Sequence, residues 1–163
     1  MKKSYDSDSR KKLYEKVLRI IGSRTPLGKD CGVLCDCACC KGSDTDGMRL
    51  FPGETTTLRT VEAEGGTLAV CDGTCDREQR PLACRLFPLF PLTDERGHVT
   101  AGLDARAIKL CPLAEFSDEV AFDPGFVRAV RRAGRVLARD PECREYMVQV
   151  TEDIDMTARL YGR

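Results

Sequence analysis

CGVLCDCACCK, residues 31–41, places five cysteines within ten positions and shows neither a helical nor a strand period. It reads as a metal knuckle: a short Cys-x-Cys spacing lets one turn aim two sulfurs at one ion, with Zn–S distances near ~2.3 Å. A second group follows as Cys71-x3-Cys75-x8-Cys84, and then Cys111-Pro112. Adjacent cysteines such as Cys39 and Cys40 point in different directions when extended. Either each serves a different site, or one is a ligand and its neighbour packs. Ligands drawn from distant segments tie those segments together, so metal binding contributes folding energy.

The rest of the composition limits the alternatives. The chain has 163 residues, which suits one domain with a helical addition. Hydrophobic residues at 42% suffice for a core, although aromatics at 6% and the lack of Trp deprive it of its largest fillers. Lys+Arg and Asp+Glu both total 26, so global charge gives no argument for a polyanionic partner. The start MKKSYDSDSR has no apolar h-region, and no run is long enough to span a bilayer. The expected compartment is therefore the cytoplasm, with no membrane partner. Thiols stay reduced there, which favours metal over disulfides for ten clustered cysteines. Two four-thiolate sites holding divalent ions would carry about −2 each, because the ligand is the deprotonated thiolate.

Outward from the cysteines, the pattern predicts an α+β fold. It is a small, loop-rich cysteine- and metal-centred domain with short strands, flanked by an N-terminal helix and a C-terminal helical hairpin. The whole of 1–163 is expected as a single domain, with the metal-binding core at about 30–113 and the hairpin at about 123–161. Leu13, Val17, Leu18 and Ile21 predict a helix over 9–21, capped by Asp8 or Ser9 and ended by Gly22. MRLF (48–51) suggests a short strand. TLRTVEAEGGTLAVC (57–71) suggests two strands around Glu64-Gly65-Gly66. Pro81, Pro88 and Pro91 stand too close for a long helix, and 98–108 suggests a returning strand. Asp123-Pro124 and Asp140-Pro141 each pair a cap with a proline at the first helical position, predicting helices to about Arg139 and Tyr161. The hairpin is expected to pack on the cysteine-rich part.

Three stretches resemble the YkgJ-type cysteine-cluster family, described as a CxxCxxCC zinc- or iron-chelating domain: CGVLCDCACCKG (31–42) with DGMRLFPGE (46–54), CDREQRPLACRLFPLFP (75–91), and LCPL (110–113). The middle stretch resembles the family's C…RP…CR-aromatic-P signature. The resemblance covers about residues 30–113. It implies Cys31, Cys35, Cys39, Cys40, Cys75 and Cys84 as metal ligands, with Cys71 and Cys111 as additions. Three residues separate Cys31 from Cys35 where the family pattern has two, so the partition of ligands stays open. Cys37 is supernumerary and Cys143 lies outside the signature; both are expected to be buried or idle thiols.

Zinc is the expected cofactor, with iron or an iron–sulfur cluster as the alternative. Neither the ferredoxin run Cx2Cx2C nor the Cx3Cx2C run is present, since residue 38 is Ala. The expected function is a metal-binding protein. The alternative is an iron–sulfur redox or protein-modifying enzyme, because a flagellin lysine-N-methylase contains a similar cysteine pattern. No Walker A loop, GxGxxG, HExxH or GxSxG is present, and no catalytic residue is expected.

Four further features have two readings each. Arg80 and Arg85 flank Cys84, and Arg77 follows Cys75: these can donate to thiolate sulfur or sit at the surface, with Arg85 favoured for a supporting role. Glu54 either caps the next segment or supplies an oxygen ligand. The only histidine, His98, is expected exposed in a turn. Arg128, Arg131, Arg132, Arg135 and Arg139 share one helix face. That face either pairs with acidic residues of the next helix or marks a third function, an adaptor that binds nucleic acid.

Overall fold

The structure, a computed structural model, describes residues 6–163; the basic start at 1–5 lies outside them. The first helix, α1 (Ser7–Ile21), buries Leu13, Val17 and Ile21, the residues whose spacing predicts it. Its cap is Asp6, which accepts from the Ser9 amide at 2.7 Å, so the helix starts earlier than expected. Asp8 then falls in the first turn and pairs with Lys12 at 2.6 Å. Gly22 ends the helix at φ 56, a backbone conformation that suits glycine.

The 31–40 stretch is not irregular throughout. It forms a one-turn helix, α2 (Gly32–Cys35), and a 3-10 turn, Ala38–Cys40. Single turns are too short to display a period, which is why the pattern hides them. Between the two turns, Asp36 and Cys37 take φ values of 49 and 52.

Three short strands follow: β1 (Met48–Arg49), β2 (Arg59–Ala63) and β3 (Gly66–Val70). They form an antiparallel sheet in the order β1-β3-β2, with Val61 opposite Leu68 and Ala63 opposite Gly66. The turn at Glu64-Gly65-Gly66 is as predicted. Next, α3 (Leu82–Leu86) leads into an antiparallel hairpin of β4 (Leu89–Thr93) and β5 (Val99–Leu103). The one-turn helix α4 (Pro112–Glu115) precedes α5 (Pro124–Leu137) and α6 (Pro141–Leu160). Both Asp-Pro starts hold: Asp123 accepts from the Phe126 amide at 2.7 Å, and Asp140 accepts from Glu142 and Cys143 at 2.8 and 3.2 Å. Helices and short antiparallel strands together make this an α+β fold.

The main core gathers α1, α3, the β4–β5 hairpin, α5 and α6. Phe51 is sealed in it, stacked on Phe90 at 6.0 Å and edge-on to Tyr146 at 4.9 Å. The two C-terminal helices pack on residues 89–107 more than on one another, α5 on both strands and on α1, and α6 on β4 and the 105–107 turn. This is a cysteine-free part of the central unit, where the expectation was a hairpin on the cysteine-rich part. The physical reason is the supply of apolar side chains. Leu89, Phe90 and Val99 offer a buried face, whereas Val33 and Leu34 between the cysteines are 87% and 60% exposed. Contact between α5 and the strands is close: a Cβ on Gly134 would stand 2.4 Å from the Pro91 Cβ and 2.6 Å from the Val99 Cγ1. A smaller cluster holds Ala107, Cys111, Leu113 and Ala114, with Cys31 packed against it. Among the described residues, no helix is long and apolar enough to cross a membrane.

Candidate metal centre

Backbone pairing brings the two cysteine groups together. The Gly42 amide donates to the Cys71 carbonyl at 3.0 Å, and Lys41 forms a β-bridge with Asp72. Thus the end of β3 delivers Cys71 beside the 3-10 turn that carries Cys39 and Cys40. Asp76 then caps the turn Arg77–Gln79 by accepting from the Glu78 amide at 3.0 Å. That turn sets the distance from Cys75 to Cys84, which sits inside α3. Cys111 reaches the same region from the N-terminal end of α4.

Two adjoining cavities result. The larger, about 540 Å³, is lined by Cys31, Cys35, Cys39, Cys84 and Cys111 among others. The smaller, about 40 Å³, is lined by Cys39, Cys40, Cys71, Cys75 and Cys84. Arg80 borders both. All eight cysteines expected as ligands therefore line one cavity or the other. The two expected to be idle line neither. Cys143 is fully buried in the main core, 3.4 Å from the Tyr14 hydroxyl. Cys37 turns back over α2, its Sγ 2.8 Å from where a Gly32 Cβ would stand.

No disulfide joins any of the ten. Among the described residues, no group of three or more His, Cys, Asp or Glu side chains stands close enough to hold a metal ion as arranged. The thiols ring the cavities instead of converging on one point.

Their electrostatics follow from this crowding. Burial pushes the Cys84 thiol up to about 12, and Cys40 and Cys75 beside it add to the push. Cys39 is raised further, first by burial and then by Cys40. Burial also raises Cys31, and the nearness of Cys111 and Cys35 adds to it. For Cys40 burial again leads, and Arg80 opposes it. Without a cation, these thiols hold their protons at neutral pH.

Arg80 and Arg85 take the two supporting roles expected of this group. Arg80 is the sulfur donor, its Nε reaching Cys75 Sγ at 3.2 Å. Arg85 braces the backbone: it donates to the Arg80 carbonyl at 3.1 Å and to the Glu78 carbonyl. It thereby holds the turn on which Arg80 sits. Arg80 closes the Arg77–Gln79 turn before α3 whereas Arg85 lies within α3, and that difference in placement separates their roles. Glu54 proves to be a brace. One carboxylate oxygen accepts from the Leu82 amide at 2.6 Å and the other from Phe51 at 3.0 Å. It joins the 51–54 turn to the start of α3. His98 lies exposed in the β4–β5 turn, its Nδ1 2.9 Å from Asp94 Oδ2.

The apolar wall of the larger cavity was not anticipated. Leu34, Phe87 and Leu110 line it, and Leu34 and Leu110 are exposed. The only signal was a pair of leucines beside cysteines in segments without a period. The chain matches no family model, no curated protein and no solved structure.

Proposed function

We propose that this chain is a metal-binding protein whose cysteine thiolates hold zinc in two sites. The observation carrying this reading is the sorting of the cysteines: the eight selected by sequence line two adjoining cavities, and the other two line neither. Cys39 and Cys84 line both cavities. Cys84 neighbours Cys40 and Cys75, and Cys39 neighbours Cys35 and Cys31 as well as Cys40. Two fours follow if Cys39 joins Cys31, Cys35 and Cys111, and Cys84 joins Cys40, Cys71 and Cys75 beside Arg80. Adjacent Cys39 and Cys40 then serve different ions. The donor set fits the group, since eight soft thiols without imidazole suit zinc or an iron–sulfur centre.

Zinc held by four thiolates has no open position, so it supplies a cross-link between segments. The protein's own residues do the rest. Raised thiols give up their protons on ligation, so uptake weakens as pH falls. Arg80 offsets the negative charge of the thiolates and donates to Cys75. The sulfurs must draw inward from the cavity walls, and the single-turn elements that carry Cys35, Cys39 and Cys40 can move with little loss of core packing.

Thiol labelling tests this reading. Iodoacetamide modification of zinc-loaded and stripped protein is mapped by mass spectrometry. The eight cavity cysteines should label only after stripping, Cys37 in both states, and Cys143 in neither until unfolding. Equal labelling of the eight with and without zinc would contradict the proposal.

One observation favours a second reading. The larger cavity, at about 540 Å³, exceeds what a single ion needs and has an apolar wall. An iron–sulfur centre that works on a small substrate would use that space. A brown, visibly absorbing protein after anaerobic purification would favour this reading over zinc.

A further inference from the structure

The arginine stripe plays no part in the proposed metal centre. Arg128, Arg131, Arg132 and Arg135 are exposed on α5, opposite its buried Phe126, Val130, Ala133 and Leu137, and Arg139 is exposed in the turn that follows. At 3.6 residues per turn the four on the helix fall within an arc of about 100° and span about 10 Å. The acidic residues of α6 do not neutralise them. Glu142 pairs with Arg10 at 3.0 Å, and among the described residues no ion pair includes an arginine of the stripe.

A second row of cations lies beside the first, because α1 packs on α5. Lys16, Arg19 and Arg24 are exposed on or just after α1, and none has a carboxylate ion pair among the described residues. Arg19 and Arg24 use their guanidinium groups on helix-end carbonyls, which leaves their charge uncompensated. With Arg132 these three border a shallow hollow of about 530 Å³. The rows meet at Gly125, where nitrogens of Arg24 and Arg128 stand 3.8 and 4.0 Å from the position of a Cβ, with Asp123 Oδ1 closer to it at 3.0 Å. Eight cations without an ion pair among the described residues thus gather on one face, against two carboxylates, Glu15 on α1 and Asp123 where the rows meet. Like charges at this density repel one another unless an anion is present.

We propose that the face built by α1 and α5 binds double-stranded nucleic acid through its phosphate backbone. Two roughly parallel requirements fit: a row of cations as long as a groove edge, and a second row about one helix–helix spacing away. The face lacks what other polyanions need. Single strands are gripped by stacking on aromatic side chains, and the exposed Phe116 and Tyr161 lie on other elements. Acidic bilayers are gripped by inserted apolar side chains, and Ile20, the apolar residue in the hollow, is only partly exposed. No residue of this face reads base edges by evident design, so recognition is of the backbone and not of sequence. Because Arg19 and Arg24 also border the larger cysteine cavity, the bound duplex would run past its mouth.

The test is fluorescence anisotropy of a labelled 24-base-pair mixed-sequence DNA duplex with the full chain, at 50 to 200 mM salt. Binding is expected in the micromolar range. If five phosphates are neutralised, the log–log salt slope is about −4.5. Arg131→Glu with Arg135→Glu should weaken binding at least tenfold, and Arg128→Glu with Arg139→Glu should do the same. All four positions are exposed, so unchanged far-UV circular dichroism is expected, and two independent pairs guard against a misfolded variant. An RNA duplex bound as well as DNA, or better, supports the proposal and names the source of the phosphates. No salt-dependent binding at 50 mM overturns it, as does undiminished binding by both variants. Tighter binding to a single strand, to polyglutamate or to phosphatidylserine vesicles also overturns it.

Discussion

Removing metal with a chelator should release residues 31–48 and 71–81 while leaving the helical core folded. At free zinc a thousand times its Kd, ligation stabilises what it binds by about 4.1 kcal/mol. Amide exchange in those segments should therefore accelerate by about a thousandfold on stripping. The reason lies in the packing. Between the cysteines, Val33 and Leu34 are exposed, and the elements there are single turns of helix. By contrast Phe51, Leu82, Leu86 and Leu89 sit in the main core with α1, α5 and α6. Hydrogen–deuterium exchange read by mass spectrometry checks this directly. Protection should persist in α5 and α6, and helical circular dichroism should change little. Unchanged exchange at 31–48 and 71–81 after complete metal removal would defeat the idea that metal orders them.

Asp140→Ala should be among the more damaging single substitutions outside the metal centre. The Asp140 side chain is completely buried. It caps α6 through two amides and pairs with Arg10 Nε at 3.1 Å, which ties α1 to the turn between α5 and α6. Losing the cap costs about 1 kcal/mol. Stranding a mostly buried guanidinium costs about 3–5 kcal/mol where nothing else meets it. Glu142 also reaches Arg10, at 3.0 Å, and reduces that penalty. A net loss of about 3 kcal/mol follows, or a fall in Tm of about 6–12 °C for a chain of this size. Asp140→Asn keeps an acceptor for the cap and should lose about half as much. Thermal melts of both variants, with metal held constant, decide it. Equal and small losses would show that neither the cap nor the charge matters.

The sequence made some of this legible because the chemistry is local. Asp123-Pro124 and Asp140-Pro141 combine a side-chain acceptor with a residue that lacks an amide hydrogen, and both open helices as read. Glu64-Gly65-Gly66 marks its hairpin for a similar reason, with Gly65 at φ 87. The eight cysteines that the family resemblance implies as ligands line the two cavities, and Cys143 lies in the core. What stayed hidden depends on long-range geometry. Asp6, Asp8 and Ser9 are equivalent caps on paper, and the packing of α1 chose Asp6. Arg80 and Arg85 stand on either side of Cys84, yet only Arg80, on the turn before α3, reaches sulfur, while Arg85 within α3 meets backbone carbonyls. Glu54 offered an oxygen to a metal, but both of its oxygens are taken by amides. The positive φ angles of Asp36 and Cys37, which fold the knuckle back on itself, leave no trace in a pattern of alternating cysteines.

Thiolate binding of metal is tested most directly by the metal content of protein purified without air. With four thiolates per ion, the account predicts about two zinc ions per chain and no acid-labile sulfide. Replacing Cys40, Cys71, Cys75 or Cys84 by Ser should remove about one ion, and replacing Cys37 or Cys143 should remove none. A chain that carries no metal when purified this way, and takes up none when zinc is supplied, would contradict the account.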